Sequence, residues 1–363
     1  MSIKTSQKNP IDEGLIDLLK RVVQQNSSDL HLSANNYPIL RIKGQLVPLH
    51  TLERLTPDRI QKMLIGLLSG VQYERLVNDK ELDLSISLPD VARFRANLFF
   101  EQDSMGAVFR VIPNIPRDHQ ELGVPLIIRE LSQRNQGLIL VTGPSGSGKT
   151  TSLASTIEYL NMTRNCHIIT IEDPIEYTYV NKKCLIRQRE VGIHTNSFSA
   201  ALLSALRQDP DIILVGEMRD LETMKTTLTA AETGHLVFST LHTNGSIDTI
   251  NRIIDVFPAH QQSQVRIQLA TTLEGVFSQL LIPRARGKGM VLATEILIAT
   301  PAVRNLIRES RAHHLRSIIE TGAEYGMQTM EACLKQLVTS GLITYEDALA
   351  RAYDVESFKQ IMA

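Results

Sequence analysis

Cysteine is scarce in this chain: Cys166, Cys184 and Cys333 are the only three in 363 residues, and they stand far apart. They compose neither a disulfide framework nor a zinc cluster, which points to a reducing, cytosolic compartment. Net charge is equally scant. Lys plus Arg number 38 against 39 Asp plus Glu, a formal charge of −1, which argues against a surface built mainly for nucleic acid. No apolar run approaches the roughly 18 residues of a membrane-spanning helix. The opening stretch, MSIKTSQKNPIDEG, has no apolar core that would serve as a signal peptide. What remains is a soluble chain whose length, at about 100–200 residues per domain, predicts two or three domains.

The pattern along the chain divides it. The first dozen residues are polar and expected to be frayed. Leu15, Ile16, Leu18, Leu19, Val22 and Val23 give Ile11–Gln25 a one-sided helical pattern. Ser28–Leu32 reads as a strand, and Ile39–Ile42 with Leu46-Val47 as a hairpin turning at Gly44. Thr56-Pro57 opens a second helix, with Thr56 as its N-cap. Leu82–Leu88, Ala92–Phe99 and Met105–Ile112 alternate at period two, as a half-buried antiparallel sheet does. Residues 12–112 therefore form one α+β domain, and prolines 113, 116 and 125 mark a linker over 113–120. From 121 to 363 the texture is α/β. Leu138–Val141, His167–Ile171, Ile212–Val215 and His235–Ser239 are short apolar runs between helical patterns, the signature of a mainly parallel, covered sheet. Beyond Pro283 the chain reads as helical, apart from a strand over Val291–Leu297.

Gly143-Pro144-Ser145-Gly146-Ser147-Gly148-Lys149-Thr150 fits GxxxxGK[ST]. It follows the apolar strand Gly137–Thr142 and precedes a helical stretch through Leu153, Ile157 and Leu160, which is the context a phosphate-binding loop needs. Such a loop wraps backbone N–H groups around phosphates at a helix N-terminus. Lys149 is then expected on the β- and γ-phosphates and Thr150 on Mg²⁺. Glu172 and Asp173 follow the strand His167–Ile171, where an α/β sheet presents its ligands. Glu217 closes Asp211–Glu217, which resembles a Walker B strand. Either Glu172 or Glu217 can orient water or hold Mg²⁺ through water; the plainer reading is strand caps or surface ion pairs. His235 and His242 flank a fourth strand, and each is either a γ-phosphate contact or a structural histidine. Zinc is not expected there, because a strand separates the two and no cysteine lies near.

Taken in order, these segments resemble the hexameric secretion-type ATPases of type IV pilus and type II secretion machines, over nearly the whole chain. Ser28–Leu32 matches the family's N-terminal PAS-like domain, Gly143–Thr150 its Walker A loop and Ile169–Glu176 its Asp box. Leu206–Asp220 matches its extended Walker B and Thr229–Thr243 its His box. The resemblance implies a P-loop, RecA-like NTPase core behind a PAS-like α+β domain, with a helical C-terminal region from about 299. It also implies ATP and Mg²⁺ as ligands, with the loop through Thr151 holding nucleotide. Glu172 becomes the general base or water-positioning acid, with Glu217 beside the metal and His242 on the phosphate side. Arg95 and Arg110, which the sequence alone would leave as surface or paired groups, become arginines approaching nucleotide across a subunit interface. Asp173, Glu176, Arg207, Arg219 and His235 are secondary candidates.

The C-terminal region favours the pilus-retraction branch of that family. Thr300–Glu309 resembles its AIRNLIRE segment, with Val303 for isoleucine, and Gly322–Leu334 resembles its Gly-Met-Gln-Thr-Met stretch. The four-cysteine zinc module common in assembly and secretion members is absent. Three segments depart from the pattern: His194 stands where the family usually has aspartate, Asn244-Gly245-Ser246 replaces a small-residue stretch, and Asn181–Ile186 is similar to an accessory retraction paralogue. The implied activity is ATP hydrolysis by a homohexameric motor withdrawing a pilus. Its implied place is the cytoplasmic face of the bacterial inner membrane, against a platform protein and possibly an accessory ATPase, with no direct nucleic-acid contact. The alternatives are the accessory paralogue, a related secretion or DNA-uptake ring, and a nucleotide-retaining scaffold.

Overall fold

The computed structural model describes residues 11–88, 91–102, 104–112 and 118–363. They fall into two compact units, within Met1–Asn114 and within Ile115–Ala363. The N-terminal ten residues and segment 113–117, where fraying and most of the linker were expected, lie outside the described residues.

The first unit runs α1 (Glu13–Gln24), β1 (Asp29–Leu32), β2 (Ile39–Ile42), β3 (Gln45–Pro48), α2 (Pro57–Ile65), α3 (Gly70–Asp79), β4 (Glu81–Leu88), β5 (Ala92–Glu101) and β6 (Ser104–Ile112). Asp12 caps α1 and Thr56 caps α2, each accepting from a backbone N–H three residues on. Leu15, Leu18, Leu19 and Val22 turn one face of α1 into the core. The β2–β3 hairpin turns at Lys43-Gly44, both at positive φ, which is the backbone a right-twisted hairpin demands. The six strands lie in the order β3-β2-β1-β6-β5-β4, all antiparallel. Alternation does the sorting: Leu82, Leu84, Phe94, Ala96, Leu98 and Phe109 enter the core, while Asp83, Arg95 and Arg110 take the opposite face. Helix α3 carries a Ser69–Gln72 capping box but buries only Leu76, so its sequence has too little apolar periodicity to announce it.

The second unit continues with α4 (His119–Leu122), α5 (Ile127–Ser132), β7 (Gly137–Thr142), α6 (Lys149–Thr163), β8 (His167–Glu172), β9 (Leu185–Glu190), α7 (Phe198–Ala205) and β10 (Ile212–Val215). Next come α8 (Leu221–Glu232), β11 (Leu236–Leu241), α9 (Ser246–Asp255), α10 (Ala259–Thr272), β12 (Leu273–Pro283) and β13 (Met290–Ile298). The chain ends in α11 (Pro301–Arg308), α12 (Leu315–Thr321), α13 (Met330–Thr339), α14 (Tyr345–Leu349) and α15 (Val355–Met362). The sheet order is β13-β12-β7-β11-β10-β8-β9, parallel except for β13. Successive residues feed two separate cores. Leu138 and Leu140 belong to one, Ile139 and Val141 to the other, which is why these strands read as unbroken apolar runs. Parallel pairing also sets the C-terminal ends of β7, β8, β10 and β11 along one edge of the sheet.

Two strands escaped the sequence reading. β9, Leu-Ile-Arg-Gln-Arg-Glu, is an edge strand with only Glu190 buried, so it lacks the apolar run that marks its neighbours. β12 follows α10 directly, at Leu273, with no turn residues to separate strand from helix. β9 also corrects the cysteine reading. His167 pairs with Leu185, and the residues just before them, Cys166 and Cys184, have their sulfurs 3.3 Å apart. All three cysteines are free thiols.

Helix α11 begins as Thr300-Pro301 suggests, with Thr300 accepting from Val303 N–H. Val303 and Ile307 are buried. Arg304 reaches off the helix to donate to the carbonyls of Ala299, Ala270 and Thr271 at 3.0, 2.8 and 2.7 Å and to Glu274 at 2.8 Å.

Candidate nucleotide site

The loop after β7 is built by close backbone approach. Gly143, at φ +139°, lies so near β12 that a Cβ there would sit 2.3 Å from the Gln279 carbonyl oxygen. Gly148, at φ +89°, starts α6 in a left-handed conformation that a side chain would strain. Lys149 is the first residue of α6 and is nearly buried, its Nζ donating to the carbonyls of Gly143 at 2.7 Å and Pro144 at 3.0 Å. Burial holds its pKa below the usual lysine value, opposed by the carboxylates of Glu217 and Glu176. Those two acids, from the segments after β10 and β8, therefore share the loop's electrostatic neighbourhood.

Sequence reasoning missed the loop's outside support. From β12, Gln279 Nε2 donates to the Ser147 carbonyl at 2.8 Å, and Ser278 shares a hydrogen bond of 2.7 Å with Thr142. Neither belongs to a phosphate-loop motif; only the strand pairing brings them there. Thr151 bonds the Tyr177 hydroxyl at 3.1 Å, tying α6 to the segment after β8.

Glu172 ends β8 and is 7% exposed. Thr170 Oγ1 donates to its Oε1 at 2.5 Å and Gln188 Nε2 at 3.2 Å. Burial pushes its pKa up to about 7; the hydrogen bonds from Thr170, Gln188 and the Glu176 amide pull the other way. A buried carboxyl poised near neutrality suits a proton acceptor. Asp173 and Glu176 are exposed on the following segment.

Glu217 follows β10, its Oε1 3.2 Å from His242 Nε2 and its Oε2 2.9 Å from Arg219. The acid, the histidine and one secondary arginine are thus brought together. His235 is not. It sits at the opposite end of β11 from His242, and seven residues of strand span about 23 Å; its Nδ1 lies 3.0 Å from the Ala230 carbonyl oxygen. The structure corrects its candidacy to a local structural contact. Arg207 is exposed just after α7.

In the first unit, Arg95 and Arg110 are direct cross-strand partners on the sheet's polar face. Arg110 Nε donates to Asp29 at 2.8 Å, and Arg95 lies 3.6 Å from Asp83. Asp29 is 2% exposed. Its pKa lies below the usual value, because the hydrogen bonds from Arg110 and Ser28 outweigh the upward push of burial. Arg41 lies opposite Asp29 from the other side, 3.8 Å away. His194, in the place of the family's aspartate, accepts from the Glu190 N–H at 2.9 Å and holds the turn after β9.

Among the described residues no group of three or more His, Cys, Asp and Glu converges as a metal cage. The oxygen donors at hand, Thr150 and Glu217, fit Mg²⁺, which takes few protein ligands and completes its shell with phosphate and water. The Ser147 hydroxyl is a buried polar atom without a partner inside the loop, as a cradle for a polar group requires. Among the described residues no helix is long and apolar enough to cross a membrane.

The family model for the type II/IV secretion system protein matches residues 4–332. The chain is 48% identical to the type IV pilus retraction ATPase PilT of Pseudomonas aeruginosa, over 95% of this chain and 99% of that one. It is 46% identical to the twitching motility protein of Neisseria gonorrhoeae, over 94% and 91%. The crystal structure of the pilus retraction motor PilT with bound ADP superposes with a TM-score of 0.90 at 47% identity, covering 95% of this chain and 99% of that one.

Proposed function

The chain belongs to the type II/IV secretion system protein family, and we propose that it is a homohexameric, Mg-ATP-hydrolysing motor that retracts a type IV pilus. The observation that carries the reading is a glycine loop after β7 whose Lys149 Nζ is held by the Gly143 and Pro144 carbonyls, with Glu217 following β10 of the same parallel sheet. Glu172 is buried at the end of the same sheet's β8.

In this reading the loop Gly143–Thr151 binds the nucleotide, its amides and Lys149 holding the phosphates. Thr150 and Glu217 would hold Mg²⁺, partly through water, and the ion would supply positive charge to offset that of the phosphates. Glu172 orients water for in-line attack on the γ-phosphorus. As the new P–O bond forms and the bond to ADP breaks, the Glu172 carboxylate takes the water's proton. His242 senses the γ-phosphoryl group while holding Glu217 in place. Arg95 and Arg110, from the first unit of a neighbouring subunit, neutralise charge developing on the transferred group. Arg219 supports Glu217; Asp173, Glu176 and Arg207 have secondary roles at the rim. Hydrolysis then changes how subunits sit in the ring, and the motion is delivered to a platform protein at the cytoplasmic face of the inner membrane, with an accessory ATPase as a further partner.

The test is Mg-ATP turnover against protein concentration with mass measured in solution, beside Glu172→Gln and Arg95→Ala, and with complementation of a retraction-deficient strain. Turnover should rise with the hexamer. Glu172→Gln should bind ATP without hydrolysing it, and Arg95→Ala should assemble yet hydrolyse poorly. A fully active monomer would sink the ring and the shared arginines, and failure to restore retraction would sink the output.

A further inference from the structure

We propose that Gln188 of β9 is a positioning residue for ATP hydrolysis, holding one oxygen of Glu172 so that the other is presented to the attacking water. The inference rests on the reading of Glu172 as the water-activating acid and names what orients it.

The geometry leaves Gln188 a single arrangement. Its carbonyl oxygen accepts from the Tyr179 N–H at 3.1 Å, and its Nε2 donates to the Tyr177 carbonyl at 2.7 Å and to Glu172 Oε1 at 3.2 Å. A backbone N–H can only donate and a backbone carbonyl only accept, so these two contacts fix which end of the amide faces Glu172. Thr170 Oγ1 donates to that same Oε1 at 2.5 Å. Both side-chain donors therefore converge on one carboxylate oxygen, Oε1, and Oε2 takes neither of them.

Gln188 stands on the strand beside β8, where Gln188 pairs with Thr170 and Glu190 with Glu172. The titratable groups around Glu172 are Glu176, Tyr177 and Tyr179 on the segment after β8, Glu190 on β9, and Glu217 beyond the tip of β10. The ionised form is favoured by three neutral donors, Thr170, Gln188 and the Glu176 amide. Removing one of the three should both loosen the carboxylate and make its charge harder to hold. Glu172→Gln would keep the Gln188 hydrogen bond, whereas Gln188→Leu would leave the acid with a single side-chain donor.

The experiment is steady-state Mg-ATP hydrolysis by the full chain between pH 5.5 and 9.5, for wild type, Gln188→Leu and Glu172→Gln, with equilibrium binding of a fluorescent ATP analogue. Gln188→Leu should move the acidic limb of kcat upward by about one pH unit and lower kcat near neutrality about fivefold. KM and analogue affinity should stay within about twofold, and turnover should recover at high pH. A merely structural role would lower activity alike at every pH. An unshifted limb in Gln188→Leu, with Glu172→Gln inactive, would overturn the role of Gln188 alone. An active Glu172→Gln would overturn the reading of Glu172 itself. Gln188→Met is read in the same way if Gln188→Leu does not assemble.

Discussion

Glu172→Gln should cost the protein its turnover and add to its stability at alkaline pH. The carboxyl is buried, and its pKa rises from an ordinary 4.5 to about 7 in the folded chain. An acid whose folded pKa is raised weakens the fold once the unfolded chain ionises, beginning near pH 4.5 and levelling off above pH 7. At about 1.4 kcal/mol per pKa unit, the penalty is about 1 kcal/mol at pH 5.5 and about 3 kcal/mol at pH 8.5. The uncharged glutamine escapes it. Its own amide hydrogens need acceptors that the carboxylate did not, but that cost does not depend on pH and cancels when two pH values are compared. Urea unfolding of both proteins at pH 5.5 and 8.5 should show the advantage of Glu172→Gln growing by roughly 2 kcal/mol between them. An advantage unchanged over that range would refute the burial argument, whatever the variant did to activity.

Gly143→Ala should abolish nucleotide binding, since its Cβ would meet the Gln279 carbonyl oxygen at 2.3 Å in a φ forbidden to alanine; isothermal titration with ADP is the check, and micromolar affinity would contradict it. Cys166, its thiol pushed up to about 12 chiefly by burial and also by the neighbouring Cys184, should react with iodoacetamide at pH 8 about a thousandfold more slowly than an ordinary thiol. Unfolding should restore the rate, as mass spectrometry of the labelled peptide would show. Arg304→Ala, which strands three carbonyls and Glu274, should destabilise by about 2–4 kcal/mol in denaturant. Arg304→Lys should recover little, because one ammonium cannot serve a fork of such contacts.

The candidate phosphate loop was legible because its chemistry is local. A loop of glycines with a lysine and a threonine has one purpose after a buried strand, and acids at strand ends fall on one edge once the strands are parallel. Gln279, Ser278 and Gln188 were not legible. Each is an ordinary polar residue whose meaning comes from the strand it is paired with, and β12 and β9 were the two strands the pattern hid. The same gap explains the cysteines: 18 residues apart in sequence, Cys166 and Cys184 meet only through the β8–β9 pairing. His235 failed for the opposite reason. It lies close to His242 in sequence, yet a strand carries the two to opposite edges of the sheet, whereas a helix would have kept them together.

Among the described residues β9 pairs with β8 alone, at the outer side of the sheet. An outermost strand with little apolar anchorage opens at a lower free energy than the strands inside it, so its amides should exchange with deuterium well before those of β7 or β11. The orientation of a buried acid is then governed by the part of the sheet that breathes most readily. Warming would loosen that acid's setting long before the fold itself began to melt, and the temperature at which turnover declines need not be the temperature at which the protein unfolds.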